Sequence, residues 1–152
     1  MPEIVIRIAT AADFEQVANL LAELGRPEVT PETRAATREV FERTLARPDA
    51  SPLVAEVDGL VVGFMSLEFR ERLNHVRRQA WIPDLIVTAG ARRVGAGRAL
   101  LQRGFELAAE RGCWSVTLES GYARQAAHEL YRTAGMTEDG YYFTLRFDVE
   151  PK

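Results

Sequence analysis

Apolar residues along this chain switch repeatedly between a period of two and a period near 3.6, and the switches divide it into alternating strands and helices. A β-branched run from Ile4 to Ile8 predicts a strand. Thr10 then offers an N-cap before Ala11-Ala12-Asp13, an acidic first turn. Phe14, Val17, Leu20, Leu21 and Leu24 come next at i, i+3, i+6, i+7 and i+10, an amphipathic helix that Gly25 would close. Thr30-Pro31-Glu32-Thr33 predicts a second helix, with Thr30 as cap and Pro31 in the first position, reaching about Arg47 before Pro48.

Two strands are predicted next, Leu53 to Val57 and Leu60 to Phe69, joined by Asp58-Gly59, a strong hairpin signal. Residues 70–79 are Arg-rich and aperiodic, which predicts a surface loop. Residues 80–87 form a strand interrupted by Pro83, a sign of an edge or a bulge. A glycine-punctuated loop, 90–97, leads into a helix ending at Arg111 and Gly112, with Leu100, Leu101, Phe105, Leu107 and Ala108 on its buried face. A strand from Cys113 to Ser120, a helix from Arg124 to Ala134 closed by Gly135, and a last strand over 141–149 complete the order. The pattern predicts one α/β (α+β) domain over 1–152: a mixed central sheet of about six or seven strands flanked by about four helices. Residues 80–120 should form a right-handed parallel βαβ unit.

Composition narrows the chemistry. Nineteen basic against 22 acidic residues leave a net charge of −3, which argues against a sequence-independent nucleic-acid binder. Lys152 is the only lysine, beside eighteen arginines, so a Schiff-base lysine is excluded. Cys113 stands alone and rules out an internal disulfide or a cysteine metal cluster. Residues 1–7 lack the charged leader and apolar run of a signal peptide, and no stretch of ~18 apolar residues exists to span a bilayer. The expectation is a cytoplasmic protein with neither a membrane nor a nucleic acid as partner, and without a metal.

The chemistry concentrates in Arg92-Arg93-Val94-Gly95-Ala96-Gly97-Arg98, where a strand hands over to a helix. Glycines there allow backbone N–H groups to approach a ligand, and the helix N-terminus adds ~+0.5 of a charge. A phosphate or pyrophosphate suits such a loop. Gly90 and Gly95 have P-loop spacing, but Ala96-Gly97 stands where Lys and Ser/Thr are required. Gly95-Ala96-Gly97 begins a dinucleotide fingerprint, yet the third glycine is absent and the loop lies mid-chain.

The run from Asp84 to Leu101, with Arg92, Gly95 and Gly97 at the defining positions, resembles the coenzyme A motif of the GCN5-related N-acetyltransferase (GNAT) superfamily. A second match lies downstream in Leu118-Glu119-Ser120, Arg124, Ala127-His128, Leu130-Tyr131 and Gly135-Met136. Here Arg124 replaces the Asn of many members, Leu130 and Met136 replace Phe, and Ile6 to Thr10 with Asp13 is also family-like.

The resemblance implies a transferase moving the acetyl group of acetyl-CoA directly to a primary amine of a small molecule or peptide. It implies that backbone groups of Leu85, Ile86 and Val87 bind the pantetheine arm, with an oxyanion donor near Val87. Arg92, Arg93, Val94, Gly95, Ala96, Gly97, Arg98 and Ala99 would cradle the pyrophosphate, with His128 touching the cofactor. Tyr131 would protonate the departing thiolate, and Glu119, or alternatively Asp84, would serve as the base. Each has a plainer reading, as a core tyrosine, a surface histidine or a solvated carboxylate. His75 reads as a loop residue and Cys113 as a small buried hydrophobe. Acceptor recognition falls to residues 25–33 and 70–79, where Arg70, Arg72, Arg77 and Arg78 suit an acidic substrate or are ordinary surface arginines. Members of the superfamily often dimerise, so a homodimer is the implied assembly. The alternative class is a non-catalytic acyl-CoA-binding module.

Overall fold

The computed structural model describes residues 2–23, 29–122 and 124–148. Its elements run β1 (Ile4–Ile8), a 3-10 turn (Ala11–Asp13), α1 (Phe14–Glu23), α2 (Arg34–Ala46), β2 (Leu53–Val57) and β3 (Leu60–Met65). Then come β4 (Glu68–Arg72), β5 (Arg77–Ile82), β6 (Leu85–Val87), a second 3-10 turn (Ala89–Val94), α3 (Ala96–Glu110), β7 (Cys113–Leu118) and α4 (Gln125–Thr133). The expected mixed α/β architecture is present. Among the described residues the seven strands fall into two sheets, β1-β2-β3-β6 and β4-β5-β7.

Two chain segments cross from one sheet to the other, and they cross side by side. β3 continues into β4 through Ser66-Leu67, and β5 into β6 through Pro83-Asp84. Across the crossing the Ser66 N–H donates to the Asp84 carbonyl (2.9 Å) and the Asp84 N–H donates to Ser66 Oγ (2.8 Å). The predicted continuous strand from Leu60 to Phe69 is therefore broken, because Ser66 bonds to Asp84 rather than to the ladder. Pro83 marks the other half of the same break, as its missing N–H and fixed φ make natural.

Helices cover the two sheets unequally. Phe14, Val17, Ala18, Leu20 and Phe41 of α1 and α2 pack with Val54, Val61, Phe64 and Ile86 on one face of the first sheet. The opposite face joins Leu53, Ala55 and Met65 to Phe69, Ala80, Ile82, Leu100, Leu101, Ala108 and Tyr131 in the larger core. The 3-10 turn before α1 is fixed by Asp13, 4% exposed, whose carboxylate accepts from both Arg7 Nη atoms (2.8 Å each) and from the Thr10 N–H (2.7 Å).

Several sequence expectations need correction. Residues 70–79 are not a loop: β4 and β5 pair antiparallel from Glu68↔Trp81 to Arg72↔Arg77. Their polar face carries Arg70 over the Trp81 ring (4.9 Å) and Gln79 bonded to Arg70 and Arg72, so it has no apolar period to announce it. The second helix begins at Arg34, because Thr30 and Thr33 bond to each other in a preceding turn. Residues 90–94 belong to a 3-10 turn, and Gly97 lies inside the first turn of α3. Residues 141–148 form no strand and pair with no ladder among the described residues. The expected ends at Leu24, Gly25, Val149 and Lys152 lie outside the described residues.

Candidate functional site

β5 and β7 pair in parallel as far as Ile82↔Leu118, and there they part. β6 leans toward β3, pairing Met65↔Leu85 to Gly63↔Val87, and β7 ends. The result is a fork: among the described residues, β6 carries an unpaired edge on the side where β7 would have continued. Ligands favour such points, where neighbouring strands diverge and backbone groups are left without partners.

Gly95, at φ +86°, turns the chain into α3 in the left-handed region that glycine occupies without strain. Gly97 is where three elements meet. A Cβ placed on it would lie 3.1 Å from Leu130 Cδ2 of α4 and 3.6 Å from Val87 Cγ2 of β6. The start of α3, the edge of β6 and the inner face of α4 therefore close on one another at a cradle that a larger side chain would fill. The end of β7 joins them through His128, whose Nε2 sits 3.1 Å from Ser120 Oγ.

Around this cradle the chain is cationic. Arg92, Arg93 and Arg98 are exposed and make no ion pair among the described residues. Arg92 Nε donates to the Val87 carbonyl (3.3 Å), which holds the guanidinium beside the fork. Backbone amides at the start of α3, its dipole and three arginines together suit a diphosphate. The residues present thus fit coenzyme A, and the candidates from Leu85 to Ala99 lie along one strand, turn and helix start.

The structure sorts the remaining candidates. Tyr131 is buried on α4, next to Leu130, with its backbone carbonyl accepting from Met136. Asp84 is half-buried at the mouth of the fork, its main chain tied to Ser66. Glu119 is exposed and lies one residue beyond β7, past the point where the ladder ends. Cys113 stands at the far end of β7, five residues from Leu118 or roughly 17 Å along a strand. Burial pushes its thiol pKa up, which suits a packed hydrophobe and not a thiolate nucleophile. His75 is also remote, in the β4–β5 turn with its ring 4.4 Å from that of Trp114.

Two site residues escaped sequence reasoning. Ser66 is signalled only by a lone hydroxyl inside the apolar run Val61 to Leu67. Glu23, at the end of α1, has no sequence signal at all. Its carboxylate accepts from the Ala89 N–H (2.9 Å) and from Thr88 Oγ1 (2.8 Å), just past β6. The Ala89 amide first, then Thr88, hold its pKa below the usual carboxylate range. Glu23 so fixes the turn that presents the three arginines, and it ties α1 to the fork.

Beside the fork, the polar face of β4-β5-β7 is not covered by α3. Trp81 pairs with Thr117, two residues before Glu119, and carries the Arg70 guanidinium on its ring. Arg70, Arg72, Arg77 and Arg78 form no ion pair among the described residues.

Comparison with known proteins supplies an independent finding. The model of the acetyltransferase (GNAT) family matches residues 14–136. An aminoalkylphosphonate N-acetyltransferase of Salmonella typhimurium strain LT2 is 30% identical over 144 residues, covering 95% of this chain and 92% of that one. A solved transcriptional regulator from Bacillus halodurans C-125 superposes with a TM-score of 0.89 at 25% identity, over 95% of this chain and 100% of that one. An aminoglycoside N-acetyltransferase solved in complex with CoA shares the fold at a TM-score of 0.80 and 16% identity, over 98% and 97% of the two chains.

Proposed function

Since the chain belongs to the acetyltransferase (GNAT) family and is an acetyl-CoA-dependent N-acetyltransferase, we propose that it acetylates a small primary amine that also carries an anionic group. The observation that carries this reading is the open arginine face beside the fork, with Arg70 stacked on Trp81 and unpaired by any described carboxylate. The Salmonella relative, whose named substrate class is a phosphonate bearing an amine, agrees with it. A lone thiol and an acetyl-CoA substrate fit a cytoplasmic setting.

Bound at the fork, acetyl-CoA supplies an acetyl group already activated as a thioester. The chain's own residues supply the rest. Leu85, Ile86 and Val87 offer the unpaired β6 edge to the pantetheine amides, and residues 92–99 with His128 hold the diphosphate end. An alkylamine has a pKa near ~10.4, so it reaches the site protonated and must lose a proton. Glu119, on the open face next to Thr117, takes that proton at its carboxylate; Asp84, at the mouth of the fork, is the second carboxylate in reach of this role. Tyr131 holds its phenolic proton for the departing sulfur.

Two measurements test these assignments. Release of free thiol from acetyl-CoA, monitored across a panel of amines, should be fastest with phosphonate- or carboxylate-bearing amines. Arg70→Ala should then raise KM for those amines about tenfold and leave neutral amines unaffected, as loss of one charge-assisted contact predicts. Equal loss for both classes would remove Arg70 from recognition, and no turnover with any amine would leave an acyl-CoA-binding module. Tyr131→Phe should lower kcat by about tenfold or more with acetyl-CoA binding unchanged, whereas unaltered kcat would take Tyr131 out of the mechanism.

A further inference from the structure

On the polar face of the second sheet one buried amide serves two cations. Arg70, Gln79 and Ser115 stand opposite one another on β4, β5 and β7, so their side chains share that face. Gln79 is 5% exposed. Its Oε1 accepts from Arg70 Nε (3.3 Å) and from Arg72 Nη1 (3.2 Å), and its Nε2 donates to Ser115 Oγ (3.1 Å). A guanidinium can only donate, so the amide must present its oxygen to the arginines and its nitrogen to the serine. The two guanidiniums are thereby held within two hydrogen-bond lengths of each other.

No carboxylate among the described residues cancels their charge. Neither arginine forms an ion pair there, and Glu68, on the same strand and face as Arg70, is engaged by Arg47 (3.0 Å). Acceptors run short beside them too. The Trp81 indole N–H is closed off from water and meets no acceptor among the described residues, while the Arg70 guanidinium lies over its ring. Like charges this close repel. A glutamate at position 79 would meet the same three partners, since the Ser115 hydroxyl can donate as well as accept, and it would relieve the repulsion. The chain has the neutral isostere instead. An amide holds both cations in place and neutralises neither, which suits a site whose counter-ion arrives with the ligand.

We propose that Gln79 is a positioning residue that sets Arg70 and Arg72 as a paired clamp for a doubly charged phosphorus oxyanion on the acceptor amine. This rests on the reading that Arg70 meets the acceptor's anionic group, and it narrows that group from any anion to a tetrahedral dianion. With Gln79 engaging one nitrogen of each guanidinium, Arg70 keeps both Nη groups for a ligand, and Arg72 keeps Nε and Nη2. A carboxylate has two oxygens in one plane and suits one such fork, whereas three oxygens on a tetrahedral centre can meet two. A monoanion leaves one cation unmatched; a dianion leaves none. Trp81 precedes Ile82, where β5 and β7 part, so the guanidinium on its ring stands beside the fork. An anion held there turns the nitrogen of a short amine toward the thioester.

Thiol release by the full chain with acetyl-CoA should be compared for aminoethylphosphonate, aminoethylsulfonate and propylamine. At about pH 8 the phosphonate carries close to two charges, the sulfonate has its shape with one, and propylamine has no anion. For the unaltered chain KM should be about tenfold lower for the phosphonate than for the sulfonate, the scale of one charge-assisted contact. Gln79→Glu should raise KM for the phosphonate about tenfold, to the sulfonate's level, with kcat and the propylamine kinetics unchanged. Arg72→Met removes one cation, keeps the buried amide and should do the same, whatever a carboxylate at position 79 does to folding. A phosphonate advantage that survives either variant overturns the proposal, and so does a loss in Gln79→Glu that falls equally on propylamine. Equal KM for phosphonate and sulfonate in the unaltered chain overturns it too; if both still outpace propylamine, the reading that the acceptor is anionic stands without it. No turnover, or no preference for either anion over propylamine, sinks that reading and the proposal together.

Discussion

Gly97→Trp is expected to abolish the stabilisation of this protein by acetyl-CoA. The unaltered chain, at acetyl-CoA near ~100 times Kd, gains about 2.7 kcal/mol and should melt roughly 5–10 °C higher, with ATP and NAD as inert controls. The cradle at Gly97 leaves no room for the indole. A single Cβ there would already stand 3.1 Å from Leu130 and 3.6 Å from Val87. A tryptophan must therefore project into the space proposed for the ligand or push α4 off β6. Gly97→Ala separates the two effects: it needs Leu130 to give by only a few tenths of an ångström, so it should fold normally and bind acetyl-CoA more weakly. A folded Gly97→Trp protein whose Tm still rises by roughly 5–10 °C would remove this helix start from the cofactor site.

Asp13→Ala is expected to cost about 2 kcal/mol of stability, the scale on which losing a helix cap and a charge-assisted hydrogen bond is felt. For a chain of this size that lowers Tm by roughly 4–8 °C. Asp13 is nearly inaccessible, and its two oxygens satisfy both Nη groups of Arg7 and the Thr10 N–H at once. Without it, Arg7 keeps Glu56 (2.6 Å) and the Ile8 carbonyl (3.2 Å), and the turn before α1 loses its cap. The pH dependence has a definite sign. Arg7, above all, holds the Asp13 carboxyl below its ordinary range. The contribution is therefore complete above the unfolded value of ~3.9 and drains away as pH falls through the folded one. Thermal melts of the unaltered and Asp13→Asn proteins should differ most at neutral pH and converge below about pH 4. A gap that stays constant through acid would show that Asp13 acts by packing alone.

Much of the site was legible because its signal is local. Glycine spacing after a strand located the helix start at Gly95 and Gly97, and the break at Pro83 located the fork, although only as an interruption. What the break is for was not legible: a change of partner from β7 to β3 is a non-local fact that no periodicity carries. The β4–β5 hairpin was missed for a related reason. Its outer face is built of Arg70, Arg72 and Gln79, so strand alternation there is written in the Arg70 guanidinium over Trp81 and in Gln79 bonded to Arg72 rather than in apolar residues. Residues 141–148 teach the converse. Their period of two is real, but a period specifies a face and not a neighbour, and within one chain the ladder is absent. The carboxylates stayed ambiguous because Asp84 and Glu119 both lie at strand ends, where alternation no longer fixes direction.

The Ser66–Asp84 crossing bears on how fast a ligand can arrive. It ties β3–β4 to β5–β6 on the side away from β7, so the gap between β6 and β7 is already present in the folded chain and no ladder has to be unzipped to admit a guest. Entry is then an encounter problem rather than a rearrangement problem. At its mouth stand Arg92, Arg93 and Arg98, cations engaged in no ion pair among the described residues, facing a ligand with several negative charges. Such encounters are steered by long-range attraction and slow as added salt shortens the Debye length from ~30 Å at 0.01 M to ~8 Å at 0.15 M. With the pantetheine arm along β6, as proposed above, ionic strength should act on capture of acetyl-CoA far more than on the residence of that arm.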